Sequence, residues 1–155
     1  LYIEVHGLNI ELSPEFCDIP CRVLMNKLPP KAEASEKIVD LTNRLLTIDY
    51  KAVIVYEDKE PIGLVTLKDI MRWLVQTEDK GTLLAKDLIT VPLISVELDT
   101  TIKEALDIME KYCIKYVGVQ EQKILKGLLN EDGVKEICDR YPHYLREYSK
   151  LRSPA

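Results

Sequence analysis

Lys51-Ala-Val-Ile-Val-Tyr-Glu-Asp-Lys-Glu-Pro-Ile-Gly-Leu64 returns further down the chain as Lys115-Tyr-Val-Gly-Val-Gln-Glu-Gln-Lys-Ile-Leu-Lys-Gly-Leu128. Seven of the fourteen aligned positions are identical, against about one expected by chance, which marks an internal repeat. The offset is 115 − 51 = 64 residues, and it holds without a gap from Leu24–Leu74 to Leu88–Cys138, with Ile38 falling on Ile102. The fold is therefore read as one structural unit used twice.

Each copy shows the same order of elements. Ser35 to Thr47 places Ile38, Leu41, Leu45 and Leu46 on a helical stripe, matched by Ile102, Ala105, Leu106 and Met109. Ser35 and Asp99 stand where helix N-caps are expected. Ala52 to Tyr56 and Tyr116 to Val119 are short runs rich in β-branched residues, as in buried strands. Polar turns at Glu57–Glu60 and Glu121–Lys123 lead into second strands, Pro61 to Leu67 and Ile124 to Asn130. The glycine inside each, Gly63 or Gly127, signals a bulge or a close backbone approach. A closing helix carries Ile70, Trp73 and Leu74 in the first copy and Val134, Ile137, Cys138 and Tyr141 in the second. Short strands near Ala32 and Val96 precede each unit, which then reads β-α-β-β-α. Trp73 is expected in the core.

The rest of the chain bounds the function. Its 155 residues are 46% hydrophobic and 30% charged, as in a globular domain. With 21 Lys and Arg against 26 Asp and Glu, the net charge is −5, which gives no overall footprint for nucleic acid. No apolar run is long enough to span a bilayer, and residues 1–11 lack a secretory signal. The missing initiator Met suggests a fragment or a processed chain. Four cysteines (Cys17, Cys21, Cys113 and Cys138) are too few for a disulfide scaffold and suit a reducing cytoplasm. Cys17-x3-Cys21 offers half of a metal site, but no second close pair completes it, so buried thiols are expected and no metal. His6 and His143 lie outside the repeats and read as surface residues. The chain divides into an N-terminal extension (1–20), a first repeat (21–80), a second repeat (81–141) and a C-terminal helix or tail (142–155). Tyr2-Ile3-Glu4-Val5 in the extension alternates like a strand, and Ser13-Pro14 reads as a turn or helix start.

Gly63-Leu64-Val65-Thr66-Leu67-Lys68-Asp69 resembles the G-h-h-[Thr/Ser]-x-x-Asp signature of cystathionine-beta-synthase (CBS) domains, h being apolar. Over residues 21–140 the duplication and element order make the chain similar to a tandem CBS pair, or Bateman module. That resemblance implies an α/β (α+β) fold of two β-α-β-β-α repeats about a pseudo-twofold axis. The clefts between the repeats would take AMP, ADP, ATP or S-adenosylmethionine as a regulatory ligand. It also implies a homodimer, a partner enzyme or transporter under regulation, and no catalysis or catalytic cofactor. The alternative is a ligandless interaction or dimerisation module.

Thr66 and Asp69 are the leading site residues. A strand entering a helix exposes backbone N–H groups that favour an anion, and a carboxylate there can accept both hydroxyls of a ribose. Thr66-x-x-Asp69 also fits a capping box that needs no ligand. The second copy reads Gly127-Leu128-Leu129-Asn130-Glu131-Asp132-Gly133, with glycine in place of the acid and Asp132 about 100° away around the helix. One competent cleft is expected. Lys51 and Lys115 open matched strands; the resemblance points Lys115 at the cleft of Thr66 and Asp69, where an ammonium would suit phosphate. Both lysines also read as solvated strand ends. Asn26 and Lys27 are candidates to border an adenine through backbone groups, although Leu28-Pro29-Pro30 departs from the usual pattern there. Enzyme motifs such as G-x-x-x-x-G-K-[Ser/Thr], G-x-S-x-G and H-E-x-x-H are missing.

Overall fold

A computed structural model describes residues 2–5, 8–11, 14–48, 50–76, 78, 81–89 and 92–140. His6, His143, Tyr141 and the tail from residue 142 lie outside them. The chain begins with a hairpin of β1 (Tyr2–Val5) and β2 (Leu8–Glu11), followed by the short helices α1 (Pro14–Cys17) and α2 (Cys21–Leu24). The first copy then runs β3 (Lys31–Glu33), α3 (Ile38–Ile48), β4 (Ala52–Glu57), β5 (Glu60–Thr66) and α4 (Leu67–Gln76). A 3-10 turn, Ala85–Leu88, introduces the second copy: β6 (Ser95–Glu97), α5 (Ile102–Lys111), β7 (Tyr116–Glu121), β8 (Ile124–Asn130) and α6 (Glu131–Arg140).

Each copy is the expected β-α-β-β-α unit around its own three-stranded sheet, β3-β4-β5 or β6-β7-β8. The outer pairing is parallel and the hairpin antiparallel in both. The hairpins turn on two residues with positive φ, Asp58 and Lys59 (51° and 67°) or Gln122 and Lys123 (49° and 66°). Both residues therefore take the left-handed geometry of a type I′ turn, whose twist matches that of the strands it joins.

Two adjustments to the sequence reading concern helix starts and stripes. The N-cap of α5 is Thr101, not Asp99: its hydroxyl accepts from the Glu104 N–H, and the Glu104 carboxylate accepts from the Thr101 N–H. Asp99 instead forms an ion pair with Arg22. In the first copy α3 starts at Ile38, so Ser35 lies in the preceding turn rather than at the cap. Ile38, Leu41 and Leu45 are buried as expected, but Leu46 is exposed, as Leu74 is on α4.

The chain forms two compact units, and their boundaries cut across the repeats. One comprises Pro29–Leu93; the other joins the described residues of Leu1–Leu28 to those of Ile94–Ala155. The reason is a reciprocal pattern of backbone hydrogen bonds. Ile38 N–H donates to Leu83 O (3.0 Å), Ala85 N–H to Glu36 O (2.8 Å) and Lys86 N–H to Ala34 O (3.1 Å), so the segment opening the second copy closes the first. At the positions 64 residues away, Ile102 N–H donates to Ile19 O (2.8 Å), Cys21 N–H to Thr100 O (2.8 Å) and Arg22 N–H to Leu98 O (3.1 Å). The segment opening the first copy thus belongs to the second.

Each unit has its own core on one sheet face. Ile38, Leu41, Leu45, Ile70, Trp73 and Ala85 pack on Val53, Val55 and Val65 in the first. Phe16, Ile19 and Cys21 join Ile102, Leu106, Met109, Val117, Val119, Leu129 and Val134 in the other. Trp73 is a core residue, as expected.

Candidate functional site

Strand β5 passes into α4 without a linker, and Thr66 and Asp69 close the junction reciprocally. The Thr66 N–H and Oγ1 both donate to Asp69 Oδ2 at 2.9 Å, and the Asp69 N–H donates to Thr66 Oγ1 at 3.2 Å. This is a capping box with aspartate at the third helical position, and it satisfies donors that the helix itself leaves open. The next backbone donor, Leu67 N–H, is taken by the carbonyl of Lys51 at 2.9 Å. Ala52 pairs across the ladder with Thr66. The unit Pro29–Leu93 therefore brings Thr66, Asp69 and the exposed Lys51 to one end of the β4–β5 hairpin.

The Asp69 side chain is 18% exposed, and its Oδ1 lies 3.6 Å from Arg72 Nη1. One carboxylate oxygen is held by the cap while the other meets a cation at the site's edge. The sequence reading passed over Arg72, although the Asp-x-x-Arg spacing places the two on one helix face.

The matched junction, β8 to α6, is built differently. Lys115 O accepts from the Glu131 N–H at 3.0 Å, as Lys51 does for Leu67, and Asn130 Oδ1 accepts from the Gly133 N–H. Asn130 therefore caps the helix as expected, and no side chain stands at Gly133. Asp132 is exposed, and its charge, after burial, helps to raise the pKa of Tyr116. Glu131, which replaces Leu67, is buried to 2%. No pattern in the sequence marked it, because acids in a first helical turn are usually solvated.

Asn26 and Lys27 belong to the other unit, with Lys115, and not to the unit of Thr66 and Asp69. Asn26 extends the edge of β8: its N–H donates to Leu128 O at 2.8 Å and its O accepts from the Leu128 N–H at 3.0 Å. Its Oδ1 accepts from the Leu28 N–H at 3.0 Å. The backbone groups of Asn26 expected to meet an adenine are thus engaged by β8, which leaves the exposed Lys27 and the Asn26 amide NH2. Gly127 permits this approach, since a Cβ there would lie 2.7 Å from Asn26 O.

Among the described residues no group of three His, Cys, Asp or Glu could hold a metal ion. All four cysteines are free; Cys17 and Cys21 are buried in the core. Burial pushes the Cys21 and Cys138 thiols up to about 12, so both stay protonated and poor as ligands. No described helix is long and apolar enough to cross a membrane.

A family model for the CBS domain matches residues 21–76 and again residues 85–140. The uncharacterized protein MJ1404 of Methanocaldococcus jannaschii is 27% identical over 103 residues, which cover 57% of this chain. The chain spans about a quarter of that relative, 24% of its length. Among solved structures, an uncharacterized conserved protein from Pyrococcus horikoshii aligns with a TM-score of 0.73 at 21% identity, covering 80% of this chain and 95% of that one. The CBS domain pair of protein MJ0100, solved with 5′-methylthioadenosine and S-adenosyl-L-methionine, aligns with a TM-score of 0.69 at 19% identity, covering 78% and 96%.

Proposed function

The chain belongs to the CBS-domain family, with two copies of the domain in tandem, and from that premise we propose that it is a regulatory module for an adenine nucleotide or related adenosyl compound. The observation that carries this reading is the Asp69 carboxylate, held at the start of α4 by two donors of Thr66 and present in one copy only. Two neighbouring hydroxyls, as on a ribose, are matched donors for such a carboxylate. Hydrogen bonds to an ionised acceptor are about twice as strong as neutral ones. A ligand engaging Oδ1 displaces Arg72 and leaves the cap on Oδ2 intact.

Lys115 and Lys51 serve as point charges for a phosphate, and Asn26 and Lys27 border the base. The module binds and signals, and a partner protein performs any chemistry. It acts in the cytoplasm as a homodimer.

One observation favours a second reading, that of a ligandless interaction module. The Thr66–Asp69 box already satisfies its own groups, and a box of this kind stabilises a helix without a ligand. Isothermal titration with AMP, ADP, ATP, S-adenosylmethionine and 5′-methylthioadenosine separates the two. One of the five should saturate at one molecule per chain, and Asp69→Ala should weaken it by about 10- to 150-fold, the loss of one charged hydrogen-bond partner. Silence from all five, with no thermal shift, makes the ligandless reading the correct one.

A further inference from the structure

The two carboxylate oxygens of Asp69 have unequal partners. Oδ2 accepts two bonds from Thr66 at 2.9 Å, whereas Oδ1 meets Arg72 Nη1 at 3.6 Å, beyond hydrogen-bond distance. The Arg72 side chain is 50% exposed, so this contact is a loose ion pair at the edge of the site. A pair this open is weak, and better-matched donors displace it.

A second cation shares that helix face. Lys68 stands one turn before Arg72, and the two line one groove of about 330 Å³ with Met71, Val75 and Gln76. Lys51, whose carbonyl accepts from the Leu67 N–H, is exposed at the same junction.

The second copy shows that the backbone plan does not require these charges. Sixty-four residues on, Lys68 becomes Asp132, Asp69 becomes Gly133 and Arg72 becomes Glu136. Glu136 pairs away from the junction, with Arg140 one turn later. The copy that lacks the acid therefore also lacks both cations at the matched positions and carries acids there instead.

We propose that Arg72 selects the ligand of this site by charge. It is the counter-ion of Asp69 Oδ1 until the paired hydroxyls of a ribose take that oxygen. The freed guanidinium then turns, with Lys68, to a phosphate on the same ligand, which its planar fork matches at two points. A ligand with the ribose but no phosphate displaces the same ion pair and gains nothing in return. A cationic one such as S-adenosylmethionine meets two like charges. This selection rests on the adenosyl reading proposed above and names the member of that class the site takes: a nucleoside phosphate.

Isothermal titration of the full chain with AMP and adenosine, before and after Arg72→Gln, tests it. The side chain is half exposed, so the variant is expected to fold, and circular dichroism checks that it does. Arg72→Gln should weaken AMP by about tenfold, the loss of one charge-assisted bond at an exposed group. It should leave adenosine unweakened or tighten it by up to about fivefold, the release of a surface ion pair. Arg72→Lys, which keeps the charge and loses the fork, should fall between the two. Added salt should erode the affinity for AMP and spare that for adenosine. A merely structural Arg72 would move both ligands in one direction, and that result overturns the selection while leaving the adenosyl reading intact. Tighter binding of S-adenosylmethionine than of AMP by the unmodified chain does the same. Binding of none of AMP, adenosine, S-adenosylmethionine and 5′-methylthioadenosine overturns the adenosyl reading, and the selection with it.

Discussion

Asp69 divides one carboxylate between two partners. Its Oδ2 caps α4 through Thr66, and its Oδ1 lies 3.6 Å from Arg72 Nη1. Loss of the side chain therefore has a consequence without any ligand. Asp69→Ala should lower unfolding stability by about 1 kcal/mol in urea, the usual worth of a cap, and an unchanged midpoint would show that the box carries no stability. Gly133 poses the converse case. A Cβ there meets Asn130 Oδ1 at 3.3 Å, a tight contact that asks the side chain to give by a few tenths of an ångström, and Cγ at 3.5 Å, an ordinary one. An acid in the first helical turn is favoured by the helix dipole, although Glu131 and Asp132 already stand there. Gly133→Asp should therefore fold and raise the stoichiometry of adenosyl ligand from one to two per chain. A folded variant still saturating at one would show that the missing acid is not what silences the second copy.

At the scale of elements, the two buried glycines of β5 and β8 face different neighbours. A Cβ on Gly63 would meet the Ile89 side chain at 2.5 Å, whereas one on Gly127 would meet the Asn26 carbonyl at 2.7 Å and the Met25 side chain at 2.8 Å. The Ile89 contact is with a side chain alone, whereas the Asn26 contact is with the backbone of a hydrogen-bonded strand edge, so Gly127→Ala should destabilise more than Gly63→Ala. Overpacking of this kind costs about 1–3 kcal/mol, and chemical denaturation giving the reverse order would refute the argument. The glycines themselves were legible in the sequence, as were the six strands of the repeats and the four long helices, because periodicity and the repeat report on local structure twice over; β2 lies outside the repeat and was not. The caps were less so: Thr101 and Asp99 are both good capping residues two positions apart, and only the hydrogen bonds choose. Leu46 and Leu74 fitted helical stripes yet are exposed, since a stripe shows which residues are apolar and not which neighbour covers them. Of the candidate site, the capping contact between Thr66 and Asp69 was readable from spacing. Arg72 and the engagement of Asn26 by Leu128 were not, the latter because it is a contact about a hundred residues apart in sequence.

For the whole molecule, the repeat and the folding unit are different divisions of one chain. Residues 21–80 make one sequence copy, but the segment that completes its core comes from the next: Ala85 is fully buried with Ile38 and Trp73, and Leu83, Leu88 and Ile89 pack against the same cluster. Cys21, at the head of the first copy, is fully buried in the core of the second. A fragment cut by sequence homology, 21–80, loses the backbone bonds of Ile38, Ala85 and Lys86, leaves Gly63 facing the space of a missing Ile89, and exposes Cys21. A fragment cut by contacts, 29–93, keeps those bonds and Ile89, and leaves Cys21 out. Its 93 − 29 + 1 = 65 residues reach the size at which single domains are marginally stable on their own. Fragment 29–93 should therefore unfold cooperatively in urea, followed by the emission of Trp73, its single tryptophan, whereas 21–80 should show no transition. Cooperative unfolding of 21–80 with equal stability would mean that the exchanged segments decorate two self-sufficient repeats. The expected result means that neither copy can be lost or replaced without unmaking the other, which ties the cap at Asp69 to the integrity of a segment belonging, by sequence, to the copy that lacks it.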